Sequence, residues 1–351
     1  MNAVQTEGKQ AKKPAPATKK LLYILIPVLL VLVPTMMEYG ILLPRSRYIL
    51  FLFCIMCVYA VANSGLDVLF GYTGQMSLGH AGFYAIGAYV SVLLSHGSYG
   101  ISQWIGFKLP PIVSMFIAAF VAMLFGILLA KPATKLVYHF LTLLTIAFGQ
   151  LVFLAISSFP NITNTYLGIT GIPPVSLFGF KFNSNYKFYL FGLGMVALML
   201  LVKRHIINSR VGRAFIAIRE NQLAANGCGV NVPYYKTVAF AISAFYTGMA
   251  GAMYAHLIGF ISPESFMYAQ SVIFMTMLVF GGTGNLLGPV LGAMVITVVQ
   301  QALQSTQNYQ NLIYGVFLLV VILFLPKGIW GLFGNVKNLL RKVGNKQNAH
   351  T

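Results

Sequence analysis

Five carboxylates serve the whole 351-residue chain: Glu7, Glu38, Asp67, Glu220 and Glu264. Catalysis by a general acid and a general base needs two titratable groups around one substrate, and no two of these acids lie together in or near an apolar run. The histidines, His80, His96, His139, His205, His256 and His350, form no pair with metal-ligand spacing. Cys54 and Cys57 have the Cys-x-x-Cys spacing of redox and metal pairs. Set in an apolar run with no histidine or acid beside them, they read instead as small apolar filler. A phosphate-binding loop requires Gly-x-x-x-x-Gly-Lys-Ser/Thr, and Gly282-Thr283-Gly284 lacks the lysine. The chain is therefore expected not to be an enzyme, to hold no metal or cofactor of its own and not to hydrolyse ATP. Asp67 is the exception to the apolar pattern around it. An ionisable group in a hydrophobic segment is a functional candidate. It could attract a substrate cation; the preferred reading is structural, with Asp67 at a span end capping a turn or meeting a lysine.

The elements that position these residues follow from composition. The chain is 58% hydrophobic and 8% charged, against about 25% charged in soluble domains. This excludes a soluble fold and points to an all-α polytopic transmembrane bundle. Runs of about 17–25 apolar residues are needed to span, and they fall near 21–37, 48–70, 76–95, 112–130, 135–157, 186–202, 237–260, 269–282, 286–303 and 311–326. That gives about ten spans, or eight to nine if the glycine-rich junctions after the second and eighth are re-entrant. With the N-terminus inside, alternation places 18 of the 23 Lys and Arg on the inner side, the bias expected of cytoplasmic loops. Both termini and the central loop are thus expected to be cytoplasmic. Residues 1–20 form a basic tail expected to be disordered, 21–330 the transmembrane domain, and 331–351 a second basic cytoplasmic tail.

The longest polar stretch between spans is 203–236. Within it Val211, Ala214, Phe215 and Ile218 recur at helical spacing, with Arg210, Arg213, Arg219 and Glu220 around the rest. Gly227 and Gly229 are expected to end that helix and Pro233 to limit the restart. A short amphipathic helix on the basic side of a membrane suits docking of a cytoplasmic partner; the alternative is a loop that only sets orientation. Two glycine-rich stretches, 71–82 and 281–288, each contain Thr-Gly and lead to a Gly-Ala pair, which hints at an internal repeat. Irregular backbone survives at membrane depth only within protein or beside a wet cavity. Thr73, Ser77, His80, Thr283 and Asn285 are therefore the substrate-pathway candidates, against the plainer reading that they satisfy backbone groups. Helix N–H groups restarting there would suit a carboxylate. Ala244, Gly248 and Ala252, and Gly284, Gly288 and Gly292, have the four-residue spacing that lets helices approach closely in lipid.

Several of these stretches carry a resemblance. Gly71-Tyr72-Thr73-Gly74-Gln75-Met76-Ser77-Leu78-Gly79-His80-Ala81, Gly212-Arg213-Ala214-Phe215, Ala217-Ile218-Arg219-Glu220-Asn221, Ser262-Pro263 and Gly281-Gly282-x-Gly284 with Gly288-Pro289 resemble the LivM-type permease subunits of branched-chain amino-acid ABC importers. The resemblance extends over about 60–330. It implies a multispanning permease in the inner membrane of a bacterium or archaeon. It further implies a LivH-like second permease, two ATPase subunits that bind ATP and Mg, and an extracytoplasmic substrate-binding protein. It also implies that Arg213, Phe215, Arg219 and Glu220 belong to the ATPase-coupling segment. One departure is the outer loop Thr163-Asn164-Thr165-Tyr166-Leu167-Gly168-Ile169-Thr170-Gly171-Ile172-Pro173, where the family often has a Gly-Gly pair before Gly-Ile-Pro. It leaves related permeases for urea, short amides or other small amino acids as alternatives. An ion-coupled secondary transporter is a further alternative, with Asp67 as its only acid.

Overall fold

The computed structural model describes residues 47–97, 108–134, 136, 138–177, 180–303, 315 and 319. The chain falls into two units, 1–50 and 51–351. The second, with the helix that opens it, contains every described element. The expected first span (21–37) and both tails lie outside the described residues, and the last span (311–326) is described only at residues 315 and 319.

The principal helices are α1 (Arg47–Thr73), α2 (His80–Ser95), α3 (Pro111–Ala133), α4 (Tyr138–Ser158), α5 (Asn185–Asn208), α6 (Arg210–Glu220), α7 (Gln222–Gly227), α8 (Val232–Ile258), α9 (Tyr268–Gly281) and α10 (Gly288–Leu303). Short two-residue strands accompany them: β1 (Ile169–Thr170), β2 (Ser176–Leu177), β3 (Phe180–Lys181) and β4 (Phe260–Ile261). The helices α1, α3, α4, α5 and α8 have the length and hydropathy to cross a membrane. The remaining apolar helices, α2, α9 and α10, have 16, 14 and 16 residues. At 1.5 Å per residue they measure about 21–24 Å, short of the ~30 Å hydrocarbon core. Composition counts these as full spans because the breaks at 74–79 and 282–287 are built mostly of glycine and small polar residues that barely depress hydropathy.

The centre of the bundle is α8, which packs most extensively on α3 and α2. Lipid tails are as apolar as leucine, so helices associate in a bilayer through close packing rather than through water exclusion. The stripe Ala244, Gly248, Ala252 supplies that packing, as its spacing predicts. A Cβ placed on Gly87 of α2 would collide with the Gly248 carbonyl, and one on Gly248 would strike Ala122 of α3. Helices α2 and α8 run parallel: His80 meets Ser243, and Ser91 meets His256. By contrast α4 lies at the periphery, with Phe140, Leu143, Leu151 and Leu154 turned outward, as befits a lipid-facing helix.

The two ends of the bundle differ. At one, residues 159–177 and 180–184 form turns and strands of two small ribbons. Strand β1 pairs antiparallel with β4, Ile169 opposite Ile261, and β2 pairs with β3. The His256 ring bonds the Pro173 carbonyl at 2.7 Å and the His96 ring the Thr170 carbonyl at 2.9 Å, tying this cap to α8 and α2. At the other end lie α6, α7 and both glycine-rich breaks. The expected single helix from 210 to about 227 is two. The Asn221 side chain accepts from the N–H groups of Leu223 and Ala224 and starts α7 afresh. Asn231 caps α8 in the same manner, with Pro233 in its first turn. The polar segment read as 203–236 is also shorter: Lys203 belongs to α5, and residues 232–236 belong to α8.

Gly87→Val should lower the unfolding temperature of the detergent-purified protein, since overpacking of this kind costs about 1–3 kcal/mol. Gly194→Ala, where a Cβ meets nothing within 4 Å, should leave it unchanged or raise it. A Gly87→Val protein that melts with the parent would rule out the α2–α8 contact.

Candidate functional site

The best-defined polar centre is built around Asp67, one of the last residues of α1 and fully buried. Its Oδ2 receives the Lys203 ammonium from α5 at 2.8 Å, and its Oδ1 accepts the backbone N–H of Gly284 at 2.7 Å. Lys203, equally buried, also donates to the Asn285 carbonyl at 3.3 Å and lies 5.7 Å from the centre of the Tyr72 ring. The expectation that Asp67 meets a lysine at a span end is thus met. The lysine comes from a residue that sequence reading had placed in the loop.

This ion pair fastens the two glycine-rich breaks to each other. Gly71 lies so near Gly284 that an added Cβ would come within 2.6 Å of the Gly284 nitrogen. Gly284 itself has φ +73°, a conformation open to glycine at little cost. The Arg219 guanidinium of α6 donates to the Gly71 carbonyl, so the amphipathic helix is joined to both breaks at one point. On its inner face α6 buries Ala214, Phe215 and Ile218, the stripe read from the sequence. Phe215 has no exposed surface and stands edge-on to Tyr235, 6.4 Å between centroids. Its role here is to anchor α6 to the bundle, so the face left for a partner is Arg213, Ile216 and Glu220. Arg219 combines the two, partly exposed and bonded inward.

The pathway candidates separate into two groups. Thr73 is buried, donates to the Leu69 carbonyl and accepts from Gln75. Thr283 and Asn285 are half-buried in the second break, Asn285 donating to the Thr283 carbonyl. Ser77 and His80 lie apart from these, deeper in the bundle. His80, expected to bond a backbone carbonyl, bonds the Ser77 backbone, and its ring also joins the hydroxyls of Ser77 at 3.1 Å and Ser243 at 2.7 Å. The start of α2 is not open to an anion as expected: Ala81 N–H donates to Ser271 of α9 and Leu78 N–H to Thr145 of α4. Cys54 and Cys57 are free and buried, in keeping with their reading as filler.

Two features escaped sequence reading. Ile216 and Leu223 are exposed apolar residues on the connecting segment, masked by the stronger signal of the buried stripe. On α1, Tyr59, Asn63 and Asp67 stand one turn apart on a face toward α9, with Asn63 against Met277 and Tyr59 against Phe274. The i, i+4, i+8 spacing of these polar residues in an apolar helix was a legible signal.

Long apolar helices around a glycine-packed core, two breaks meeting at one end and an amphipathic helix tied onto them make this a multi-pass membrane transport protein of the permease class. Residues 48–325 match the family described as branched-chain amino acid transport system / permease component, and the chain belongs to that family. It is 32% identical over 295 residues to the high-affinity branched-chain amino acid transport system permease protein LivM of Escherichia coli (strain K12), covering 78% of this chain and 67% of that protein. It is 25% identical over 293 residues to LivH of the same organism, covering 78% and 91%. A probable LivM of Methanocaldococcus jannaschii is 22% identical over 316 residues, covering 78% of this chain and 90% of that protein. No solved structure matches the chain.

Removing one member of the buried pair strands the other, at about 3–5 kcal/mol. Asp67→Leu and Lys203→Met should each lower the yield and unfolding temperature of the solubilised protein, while the double variant recovers part of the loss. Losses that simply add would show that the two side chains do not interact.

Proposed function

We propose that this chain is the LivM-like permease subunit of an ABC importer that carries branched-chain amino acids across the inner membrane of a bacterium or archaeon. Its partners are a LivH-like permease, two ATPase subunits that hold ATP and Mg, and an extracytoplasmic binding protein. The observation that carries this reading is apolar surface where lipid is not expected. Leu223 of α7 is 86% exposed and Ile216 of α6 44%, both on the basic connecting segment, and Tyr234 in the first turn of α8 is 61% exposed. Exposed apolar side chains amid charge are the anchors of protein interfaces. A cytoplasmic ATPase is the partner that an importer needs at this place.

The same geometry supplies a mechanism. Force applied to α6 passes through Phe215 into the bundle and through Arg219 to Gly71, and so to both breaks. Alternating access then consists of motion of α9 and α10 against the glycine-packed core. The solute path runs inward past His80 and Ser77 and leaves by Thr73, Thr283 and Asn285. The names of the relatives favour branched-chain amino acids over urea or short amides. An ion-coupled transporter is disfavoured because Asp67, the buried acid among the described residues, is already engaged by Lys203 and Gly284.

Leu223→Asp should reduce co-purification of the ATPase subunits by tenfold or more, in the range of an interface anchor worth about 2 kcal/mol, and leave membrane insertion intact. Full recovery of the ATPases with this variant would remove the docking assignment. Orientation is tested separately. Cys228 is exposed while Cys54 and Cys57 are buried, so an impermeant thiol reagent should label Cys228 only when it has access to the cytoplasmic face. Labelling from outside would reverse the topology.

A further inference from the structure

Several of the described buried polar atoms that lack a partner gather in one place outside the two breaks. Tyr84 is 1% exposed and its hydroxyl has no hydrogen-bond partner; Gln270 Nε2 is likewise buried and unpaired, as are Asn63 Oδ1 and the Tyr89 hydroxyl. The Tyr84 ring touches those of Tyr254, Phe266 and Phe274, with centroids 5.5, 5.6 and 5.3 Å away. Tyr59 closes the cluster from α1, 5.7 Å from Phe274, and its hydroxyl faces the Gln270 side chain. Tyr89 adjoins through Phe266 at 5.7 Å. Asn63 follows one turn along α1, about 5.4 Å from Tyr59.

The depth of this cluster is fixed by α8. Its 27 residues measure about 40 Å, and Ser243, the partner of His80, lies about 17 Å along it. Helix α2 therefore begins near mid-bundle and runs toward the capped end. Helix α9 begins beside it and runs the other way, since Ser271 receives the Ala81 N–H and Gly284 reaches Asp67. The N-terminus of α9, a centre of partial positive charge, thus lies beside the aromatic rings, while that of α2 is already engaged by Ser271. Elsewhere in the core the polar side chains of α2 and α8 are paired: His80 with Ser77 and Ser243, Ser91 with Ser114 and His256. A membrane bundle that matches its polar atoms there and leaves them unmatched here needs a reason at this spot.

The geometry points to this cluster as a transient seat for the zwitterion of a small amino acid with an apolar side chain, an assignment that rests on the function proposed above. The Tyr84 hydroxyl donates to the carboxylate at the N-terminus of α9, and Gln270 Nε2 exchanges the Tyr59 hydroxyl that it faces for the same carboxylate. Asn63 Oδ1 accepts from the ammonium, and Phe266, Phe274 and Tyr254 enclose the side chain. All of these groups are neutral, so the seat holds a zwitterion without the deep trap that a fixed counter-charge would create. In the arrangement described the rings close on one another. The seat opens as α9 withdraws from α2 and α1.

The test uses the full chain co-expressed with its partner subunits and compares Tyr84→Phe and Gln270→Met with the parent. Each removes polar atoms while nearly keeping shape. Uptake of labelled leucine, isoleucine and valine at low concentration should fall about tenfold, the effect of one well-placed buried hydrogen bond. The unfolding temperature of Tyr84→Phe should stay level or rise, because an unmatched buried polar atom has been removed, and ATPase stimulation by the binding protein should persist in both variants. Uptake equal to the parent in both variants overturns the seat. So does a lower unfolding temperature for Tyr84→Phe, which would mean that the hydroxyl already has a structural partner. A parent complex that moves none of the three amino acids overturns the proposed function instead, and the ligand named here with it.

Discussion

A carboxylate and an ammonium, both withdrawn from solvent, hold the inner architecture of this protein. Two buried charges are not a cheap way to join helices, because each loses its hydration and their mutual attraction offsets that only when the remaining hydrogen-bonding capacity is filled. Here it is filled. Both oxygens of Asp67 are engaged, one by Lys203 and one by the Gly284 N–H, and Lys203 donates again to the Asn285 carbonyl. The pair therefore fixes α1, α5 and the break before α10 in one register. It also explains why side chains are missing around it: the volume that a Cβ on Gly71 or Gly284 would need is taken by Asp67 and by Arg219.

Much of the bundle was legible in the sequence because lipid imposes simple rules. Apolar runs located the helices, and the Ala244–Gly248–Ala252 spacing located the central contact. The stripe on α6 gave its buried face. The lengths of α2, α9 and α10 were not legible, because glycine and serine interrupt a helix without interrupting its hydropathy. Lys203 was misassigned for a related reason: a charged residue at the margin of an apolar run reads as loop unless its partner, 136 positions away, is known. Phe215 was placed in the coupling segment by its stripe, and sequence shows which residues share a face but not whether that face turns inward, as it does here. His80 bonds hydroxyls from two different segments, a pairing that no local pattern encodes.

The bundle combines two kinds of adhesion with different mechanical character. Where α2, α3 and α8 meet, backbone lies against backbone and there is no slack for a side chain to rearrange. Between α1, α5, α6 and the second break, the contacts are directional and made by long side chains that can rotate and exchange partners. A transporter needs both, since a solute can be passed along only if part of the molecule holds its shape while another part changes. The distribution of glycine and charge in this chain marks which part is which.

The Asp67–Lys203 pair also has a history within each molecule. Translation delivers Asp67 first and its partner 136 residues later, an interval of about 7–27 s at ordinary elongation rates of about 5–20 residues per second. Through that interval α1 stands in the bilayer with a carboxyl group that nothing yet neutralises, tolerable because it lies at the end of the helix rather than its middle. The Gly284 N–H arrives later still, 217 residues after Asp67. The joint is thus assembled in the order in which the ribosome supplies it, and this end of the bundle cannot lock until nearly the whole membrane domain has been made.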